Sequence, residues 1–143
     1  MQNDKRPTLV PELYCSNLEK TLFFYTDILG FHIFYSRIEE KFVYLKRWDI
    51  EIMFEEIWLW RNWITGKLEY PYGRWINFQI EVSDVEQIYK NIQNNNINLF
   101  LALEEKWYQR NTILLWNKQF IVQDPDGYLL RFYQNIWEKS LNN

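Results

Sequence analysis

Cysteine and histidine are almost absent from this chain, and their scarcity limits its chemistry. Cys15 is the only cysteine in 143 residues, so no disulfide can form within the chain and the usual cysteine patterns of zinc sites are excluded. No nucleophile signature surrounds Cys15, which we expect to fill space in a strand. His32 is the only histidine, and a single histidine in a predicted strand favours a structural role over that of a general base.

Long hydrophobic runs are missing as well. No apolar stretch approaches the roughly 20 residues needed to cross a bilayer. The polar segment Met1–Pro7 lacks the apolar core of a signal peptide, so we expect a cytoplasmic protein. Glycine-rich phosphate loops, Ser-His-Asp sets and Cys-x-x-Cys motifs are absent too, which removes the most recognisable signatures of catalysis.

Positive charge is in short supply, whereas aromatic residues are abundant. The chain carries 16 lysines and arginines against 19 acidic residues, a net charge of −3. Nucleic-acid binding depends on clustered Lys and Arg, so the balance argues against nucleic acid and favours a cationic small molecule. Aromatic residues make up 20% of the chain, with eight tryptophans. A core of this size does not need so many, which predicts that some form a binding surface.

Two similar segments predict two copies of one motif. In Leu13–Glu19 and Ile80–Glu86, an extended apolar run ends at a serine that a glutamate follows three residues later. This spacing is the capping-box pattern, in which Ser16 or Ser83 would cap a helix. Apolar residues then recur on one face of each predicted helix, at Leu18, Leu22 and Tyr25 and at Val85, Tyr89 and Ile92.

Strand-like runs follow each predicted helix. Gly30 and the run 94–96 supply residues for left-handed helix ends, and the sequence Asp-Pro-Asp-Gly at 124–127 is typical of a hairpin turn. The runs are 31–36, 42–46 and 50–54, then 99–103, 107–110, 120–123 and 128–133. We therefore predict a single domain, 1–143, with module one at about 8–55, a linker at about 56–74 and module two at about 75–135.

With this organisation, the chain resembles the vicinal oxygen chelate superfamily, which includes glyoxalase I, extradiol dioxygenases, fosfomycin-modifying enzymes and bleomycin-resistance proteins. The resemblance runs from Leu9 to Tyr133. It rests above all on FYTDILGF at 24–31 and on DPDGY at 124–128, at this separation. The stretches WITGKLEYPYGR and KWYQR are most similar to proteins of the bleomycin-resistance type.

The resemblance implies an α+β protein with the glyoxalase/bleomycin resistance fold. In that fold two βαβββ modules form a curved mixed sheet around a shared cavity, and homodimers are the common assembly. Family enzymes hold a metal in the cavity with ligands from the first and last strands of each half. Carried over residue by residue, the first-strand positions fall on Val10 and Asn77, and the last-strand positions fall on Glu51 and Arg131.

These four residues do not predict a metal site. Val10 has no donor atom, Asn77 offers one amide oxygen, and Arg131 is permanently cationic. Only Glu51 is a suitable ligand, so we expect no metal, no cofactor and no catalytic residue. The opposite charges of Glu51 and Arg131 suggest instead that the two side chains form an ion pair in the space of the metal.

The expected ligand groove combines aromatic rings with polar side chains of the cavity. Indole faces stack on flat rings and attract cations, and each contact contributes roughly 0.5–2 kcal/mol. Alternation along the strands places Glu12, Met53 and Gln79 on the same face as the carried-over metal positions. The predicted ligand-binding residues are Glu12, Glu51, Met53, Trp60, Trp63, Asn77, Gln79, Trp107, Tyr108 and Arg131.

The sequence thus predicts a non-catalytic binding protein. By its resemblance to bleomycin-resistance proteins it would confer antibiotic resistance, sequestering a cationic aromatic drug or metabolite in a groove of a homodimer. One alternative is a metal-dependent lyase, dioxygenase or thiol transferase of the same superfamily. Another is a binding module for an unrelated apolar metabolite. No nucleic acid or membrane partner is expected.

Overall fold

The computed structural model describes residues 6–57 and 63–142. The chain divides into two compact units, Met1–Leu68 and Glu69–Asn143, which we call module one and module two from here on. Each module has one four-stranded sheet. No helix within the two described ranges is long and apolar enough to span a membrane.

Module one has the order strand, helix, three strands. Its first helix begins as an α-helix and continues as a π-helical segment, Phe23–Ile28. The elements are β1 (Glu12–Cys15), α1 (Leu18–Leu22), β2 (His32–Arg37), β3 (Phe42–Arg47) and β4 (Ile50–Glu56). The strand order in the sheet is β1-β4-β3-β2, with β1 parallel to β4 and the other pairs antiparallel.

Module two repeats that order with longer strands. The elements are β5 (Asn77–Glu81), α2 (Val85–Asn94), β6 (Leu99–Arg110), β7 (Ile113–Gln123) and β8 (Leu129–Ser140). The strand order in the sheet is β5-β8-β7-β6, again with the first strand parallel to the last and the other pairs antiparallel. The predicted α+β class and the two βαβββ modules are therefore confirmed.

Each module buries one face of its sheet together with its helix. In module two, Phe120 and Phe132 are fully buried and stack with ring centroids 5.4 Å apart, while Val85 and Ile92 of α2 are fully buried as well. In module one, Phe54 of β4 occupies the corresponding place and packs against Tyr25, centroid to centroid 4.6 Å. Each such side chain contributes roughly 1.5–3 kcal/mol through burial.

The helices begin one residue later than the capping-box pattern predicts. Asn17 Oδ1 accepts the Lys20 amide at 2.9 Å, and Asp84 Oδ1 accepts the Gln87 amide at 3.1 Å. The prediction that Ser16 and Ser83 cap the helices is wrong, because the next residue in each segment is an equally good cap whose side chain reaches the first turn. The predicted left-handed helix ends are confirmed by positive φ angles at Gly30 and Asn96.

A second acceptor supports the start of each helix, and it comes from the last strand of the same module. The Leu18 amide donates to Glu56 Oε2 at 3.0 Å. At the corresponding place in module two, the Val85 amide donates to Gln134 Oε1 at 3.1 Å. The last strand therefore fixes the helix on its sheet in both modules, once with a carboxylate and once with an amide.

The strands of module two are longer than predicted. The separate runs 99–103 and 107–110 belong to one strand, and β8 continues to Ser140, past the predicted end at 133. Three indoles explain the extension: Trp107 stacks on Trp116 at 5.6 Å and meets Trp137 edge-on at 5.8 Å. Cross-strand aromatic pairs of this kind stabilise neighbouring strands, so β8 continues to Ser140.

The predicted hairpin turn between β7 and β8 is confirmed. Asp124 Oδ1 accepts the amides of Asp126 and Tyr128 at 2.9 and 3.0 Å, and Gly127 has a φ of +93°. A Cβ atom on Gly127 would lie 2.4 Å from Cβ of Pro71. Only glycine therefore fits this turn, both for its backbone angle and for its contact with the segment before β5.

Candidate functional site

A polar pocket opens on the face of the module-two sheet opposite to α2. Its volume is about 180 Å³, which is enough for a ligand with one ring, since engineered cavities of about 150 Å³ bind benzene. We call it the module-two pocket. It is lined by Gln79, Tyr108, Leu115, Asn117, Gln119, Arg131 and Tyr133.

Strand alternation explains why these residues meet. Gln79 of β5 and Arg131 of β8 are direct cross-strand partners, and Gln119 of β7 is the partner of Tyr133. Their strand neighbours Phe120 and Phe132 point to the buried face. Leu115 and Asn117 lie on the same face of β7 as Gln119, and Tyr108 of β6 is the cross-strand partner of Leu115.

Hydrogen bonds orient most of the pocket wall. Arg131 Nη2 donates to Gln79 Oε1 at 2.6 Å. Tyr108 OH donates to Gln119 Oε1 at 2.9 Å, and Gln119 Nε2 donates in turn to Glu104 Oε1 at 2.7 Å. The Tyr108–Gln119–Glu104 chain fixes the Gln119 amide, so one wall of the pocket is held rigidly.

Three buried polar atoms of this region have no hydrogen-bond partner among the described residues: Asn117 Oδ1, Arg131 Nε and Asn135 Oδ1. Asn117 is only 7% exposed, and its backbone is paired with that of Asn135. A buried polar group without a partner costs roughly 1–3 kcal/mol. Arg131 and Asn117 both line the pocket, so its wall contains one donor and one acceptor that its own hydrogen bonds leave unused.

On the corresponding face of module one, Glu51 has its partners within the module. Tyr44 OH donates to Glu51 Oε1 at 3.1 Å, and Lys46 Nζ lies 3.1 Å from the same oxygen. The ammonium also sits 3.9 Å from the centre of the Phe34 ring. Burial raises the pKa of the Tyr44 phenol, and the hydrogen bond to Glu51 raises it further. This face thus holds a compact charged cluster.

The register of the strands corrects the placement of the carried-over metal positions. Arg131 is the cross-strand partner of Gln79, whereas Asn77 is paired with Leu129. In module one the pair that corresponds to Gln79 and Arg131 is Glu12 and Met53. The last-strand counterpart of Arg131 is therefore Met53, so Glu51 and Arg131 do not occupy equivalent positions of the two modules.

The residues at these positions do not fit the metal of the family enzymes. A guanidinium has only donors and a fixed positive charge, and Met53 offers a thioether that hard cations do not prefer. Across residues 6–57 and 63–142, no three His, Cys, Asp or Glu side chains come close enough to hold a metal ion together. The donor set at the first and last strands suits hydrogen bonding instead of coordination.

The ion pair predicted between Glu51 and Arg131 would join the two modules, and it stays a prediction. Each side chain has a partner inside its own module. Glu51 is held by Lys46 and Tyr44, and Arg131 is held by Gln79. Glu51 therefore does not need Arg131 for charge compensation.

The structure brings three of the ten predicted ligand residues together in the module-two pocket, namely Gln79, Tyr108 and Arg131. Asn77 is exposed one step further along the same face of β5. Trp107 points to the other face of β6, onto Trp116. In module one, Glu12 lies beside Met53, Glu51 belongs to the charged cluster, the Trp63 amide donates to Tyr14 OH, and Trp60 lies outside the described residues.

Four pocket residues were missed by sequence reasoning: Leu115, Asn117, Gln119 and Tyr133. Alternation from the apolar Phe120 and Phe132 places Gln119 and Tyr133 on the opposite face, so this signal was available. Asn117 lies two residues before Gln119 on the same strand, so the same alternation places it on this face as well.

The topology and the pocket define a protein built from two βαβββ modules, and comparison with solved structures identifies its family. A glyoxalase/bleomycin resistance protein/dioxygenase superfamily member from Vibrio splendidus 12B01 is 39% identical, over 87% of this chain and 95% of its own, with a TM-score of 0.41. The assignment to this superfamily rests on that sequence identity, which extends over most of the length of both chains. The chain belongs to this superfamily, which confirms the resemblance found in the sequence.

Two more distant structures share the fold. A glyoxalase/bleomycin resistance protein/dioxygenase from Alicyclobacillus acidocaldarius is 18% identical, covers 96% of each chain and has a TM-score of 0.64. TioX from Micromonospora sp. ML1 is 15% identical, over 90% of this chain and 98% of its own, with a TM-score of 0.70. No family model and no curated protein matches the chain.

Proposed function

We propose that this chain is a non-catalytic small-molecule binding protein of the bleomycin-resistance type, which acts as a cytoplasmic homodimer. The observation that carries the proposal is the pair of Arg131 and Gln79, whose side chains are 2.6 Å apart. They lie side by side on the first and last strands of module two, the two strands from which family enzymes supply metal ligands. A hydrogen-bonding pair at this point recognises a ligand but cannot activate it as a Lewis acid would.

The chemistry of the pocket wall supports binding over catalysis. Amides, phenols and a guanidinium line it, and these groups donate and accept hydrogen bonds. None of the lining residues is a histidine or a carboxylic acid, the side chains that most often act as general acids and bases. The wall therefore suits selective binding of a polar ring system.

We extend the proposal to the ligand expected from the sequence, an aromatic cation. The net charge of −3 attracts a cation over a distance. The indole of Trp107 is 48% exposed, but it stacks on Trp116 on the other face of β6 and does not line the module-two pocket. Arg131 repels positive charge at its own position. The cationic part of the ligand therefore stays outside the module-two pocket, and an uncharged part enters it.

Titration with bleomycin tests this function. Metal-free and copper-loaded bleomycin are added separately to the purified protein while tryptophan fluorescence is followed, and a saturable change at micromolar ligand is expected. Arg131→Met should weaken the binding, whereas Arg110→Met, which removes an exposed cation at the end of β6, should not. A flat titration with both forms of bleomycin would remove the drug-binding proposal. A stoichiometric transition metal in the purified protein would instead favour an enzyme.

A further inference from the structure

The module-two pocket contains unused hydrogen-bonding groups of both kinds. Arg131 has five N–H donors, and the described residues supply a hydrogen-bond acceptor to Nη2 but none to Nε. Asn117 is buried in the wall, and its Oδ1 accepts no hydrogen bond from the described residues. The terminal torsion of asparagine is broad, so a small rotation turns this oxygen towards the cavity. A ligand that satisfies both residues must accept at one atom and donate at another.

The charges around the pocket restrict the ligand further. Arg131 is the cation of the wall, and two carboxylates are hydrogen-bonded to other residues of the wall. Glu81 Oε2 accepts from Tyr133 OH at 3.3 Å, and Glu104 Oε1 accepts from Gln119 Nε2 at 2.7 Å. An anion in the pocket would therefore lie near negative charge on two sides of the wall. A cation would face the guanidinium of Arg131 at short range.

We propose that the module-two pocket recognises a primary carboxamide carried on a small ring. The carbonyl oxygen accepts from Arg131, and the amide NH₂ donates to Asn117 Oδ1. The assignment rests on the proposed binding function and names the part of the ligand that enters the pocket. A carboxamide is neutral, planar and both donor and acceptor, and the volume of about 180 Å³ holds one ring that bears it.

Neighbouring ligand chemistries each leave one group unsatisfied. A carboxylate binds the guanidinium well, but it has no donor for Asn117 and adds repulsion with Glu81 and Glu104. An ammonium donates to Asn117 but cannot accept from Arg131. A plain ring satisfies neither group. The order of affinity among matched one-ring probes therefore reports the chemistry of the pocket.

The experiment uses the full-length, uniformly ¹⁵N-labelled protein and records backbone chemical shifts during titration with benzamide, benzoate, benzylamine and toluene. Benzamide should give saturable shifts at residues of the module-two pocket and bind at least about tenfold more tightly than the other three, since each lost hydrogen bond to a charged or buried partner weakens binding roughly 10- to 100-fold. Arg131→Met should weaken the binding of benzamide by about the same factor. Arg110→Met is the matched control and should leave the affinity for benzamide unchanged.

Substitutions of Asn117 test the assignment through a change in ligand preference. Asn117→Asp replaces the acceptor oxygen by a carboxylate of the same shape, so the variant should prefer benzamidine, whose amidinium donates twice, over benzamide by about tenfold. Asn117→Ser, with a shorter side chain, should lose benzamide without gaining benzamidine. Retained chemical-shift dispersion shows that each variant is folded.

Several results would overturn the assignment. Tighter binding of benzoate would make the pocket an anion site, and tighter binding of benzylamine would make it a cation site. Binding of bleomycin without benzamide shifts in the pocket would overturn the carboxamide assignment alone and leave the proposed function intact. Benzamide binding without any bleomycin binding would support the carboxamide assignment and exclude bleomycin as the ligand.

Discussion

The two modules share one topology but use their polar residues for different ends. In module one the sheet face opposite the helix carries Glu51, bound by Lys46 and Tyr44 within 3.1 Å. In module two the corresponding face carries the pocket, with Asn117, whose Oδ1 accepts no hydrogen bond from the described residues, and the partly paired Arg131. The difference teaches that one topology can carry a buried charged cluster in one copy and a pocket in the other.

The last strands show the same contrast on a smaller scale. Glu56 of module one accepts the first amide of α1 and also binds Lys41 at 3.0 Å. Gln134 of module two accepts the first amide of α2 with a neutral group. One helix start is therefore linked to the ionisation of a carboxyl group, and the other is not.

The largest expected effects test whether the cores of the two modules are equivalent. Phe54 and Phe132 are both fully buried, and each is the cross-strand partner of an apolar residue of the first strand, Leu13 or Ile80. Phe54→Ala and Phe132→Ala should each lower the free energy of unfolding by about 3–5 kcal/mol, because each leaves a cavity in a packed core. Urea denaturation measures both. A loss of less than about 1 kcal/mol in the free energy of unfolding for either variant would show that the two cores are not equivalent.

The next effect concerns the charged cluster of module one. Glu51→Gln leaves the ammonium of Lys46 without its counter-ion, and the two side chains are only 4% and 17% exposed. We expect a loss of about 1–3 kcal/mol of stability. Glu86→Gln in module two removes a partner of Lys118 that is 53% exposed and should cost less than about 1 kcal/mol. Equal costs, measured by urea denaturation, would contradict the claim that module one buries its charge pair.

The helix caps give a smaller and symmetrical effect. Asn17→Ala and Asp84→Ala remove the side-chain oxygens that accept the Lys20 and Gln87 amides, so each should destabilise the protein by about 1 kcal/mol. Ser83→Ala is the control and should change stability by less than about 0.5 kcal/mol. Thermal unfolding of the three variants is sufficient. A larger loss of thermal stability from Ser83→Ala than from Asp84→Ala would show that Ser83, and not Asp84, caps α2.

The smallest effect is a pH dependence. The pKa of Glu56 is lowered, chiefly by the hydrogen bond from the Leu18 amide and further by Lys41. A lowered folded-state pKa contributes stability above the unfolded value of about 4.3, and this contribution is lost as the pH falls through the folded value. Glu56→Gln should therefore remove part of the acid-induced loss of stability, by about 0.5–1 kcal/mol between pH 7 and pH 3.

The reciprocal variant sharpens that comparison. Gln134→Glu should give module two the acid dependence that Glu56 gives module one, and urea denaturation at pH 7 and pH 3 measures the change in both variants. Identical pH dependence in the original chain and in Glu56→Gln would show that this carboxyl group does not stabilise α1 through its charge.

Much of the fold was predictable because the repeat and the turn residues mark it locally. Gly30 and the Asp-Pro-Asp-Gly turn gave correct boundaries, since their backbone angles depend on few neighbours. The helix caps failed by one residue, because serine stands beside an asparagine or aspartate of equal capping strength. The continuation of β6 to Arg110 and β8 to Ser140 depends on indoles from three strands, which no local pattern reveals.

The site was less predictable than the fold. Gln79 was found by alternation from the carried-over position Asn77, and Arg131 was a carried-over position itself. Glu51 and Arg131 were treated as equivalent although their registers differ, because register across two strands depends on the whole sheet. Asn117 follows from Phe120 by alternation along β7, but it was not singled out. Trp107 was expected in the groove beside Tyr108, yet adjacent strand residues point to opposite faces, and Trp107 stacks on Trp116.

Mapping of the bleomycin site by backbone chemical shifts tests the central claim most directly. The account predicts that, in the full-length protein, the largest saturable shifts include the module-two pocket, with Gln79, Asn117 and Arg131 among them, and that Arg131→Met reduces the affinity at least about tenfold. Shifts confined to the charged cluster of Tyr44, Lys46 and Glu51, with no effect of Arg131→Met, would contradict it.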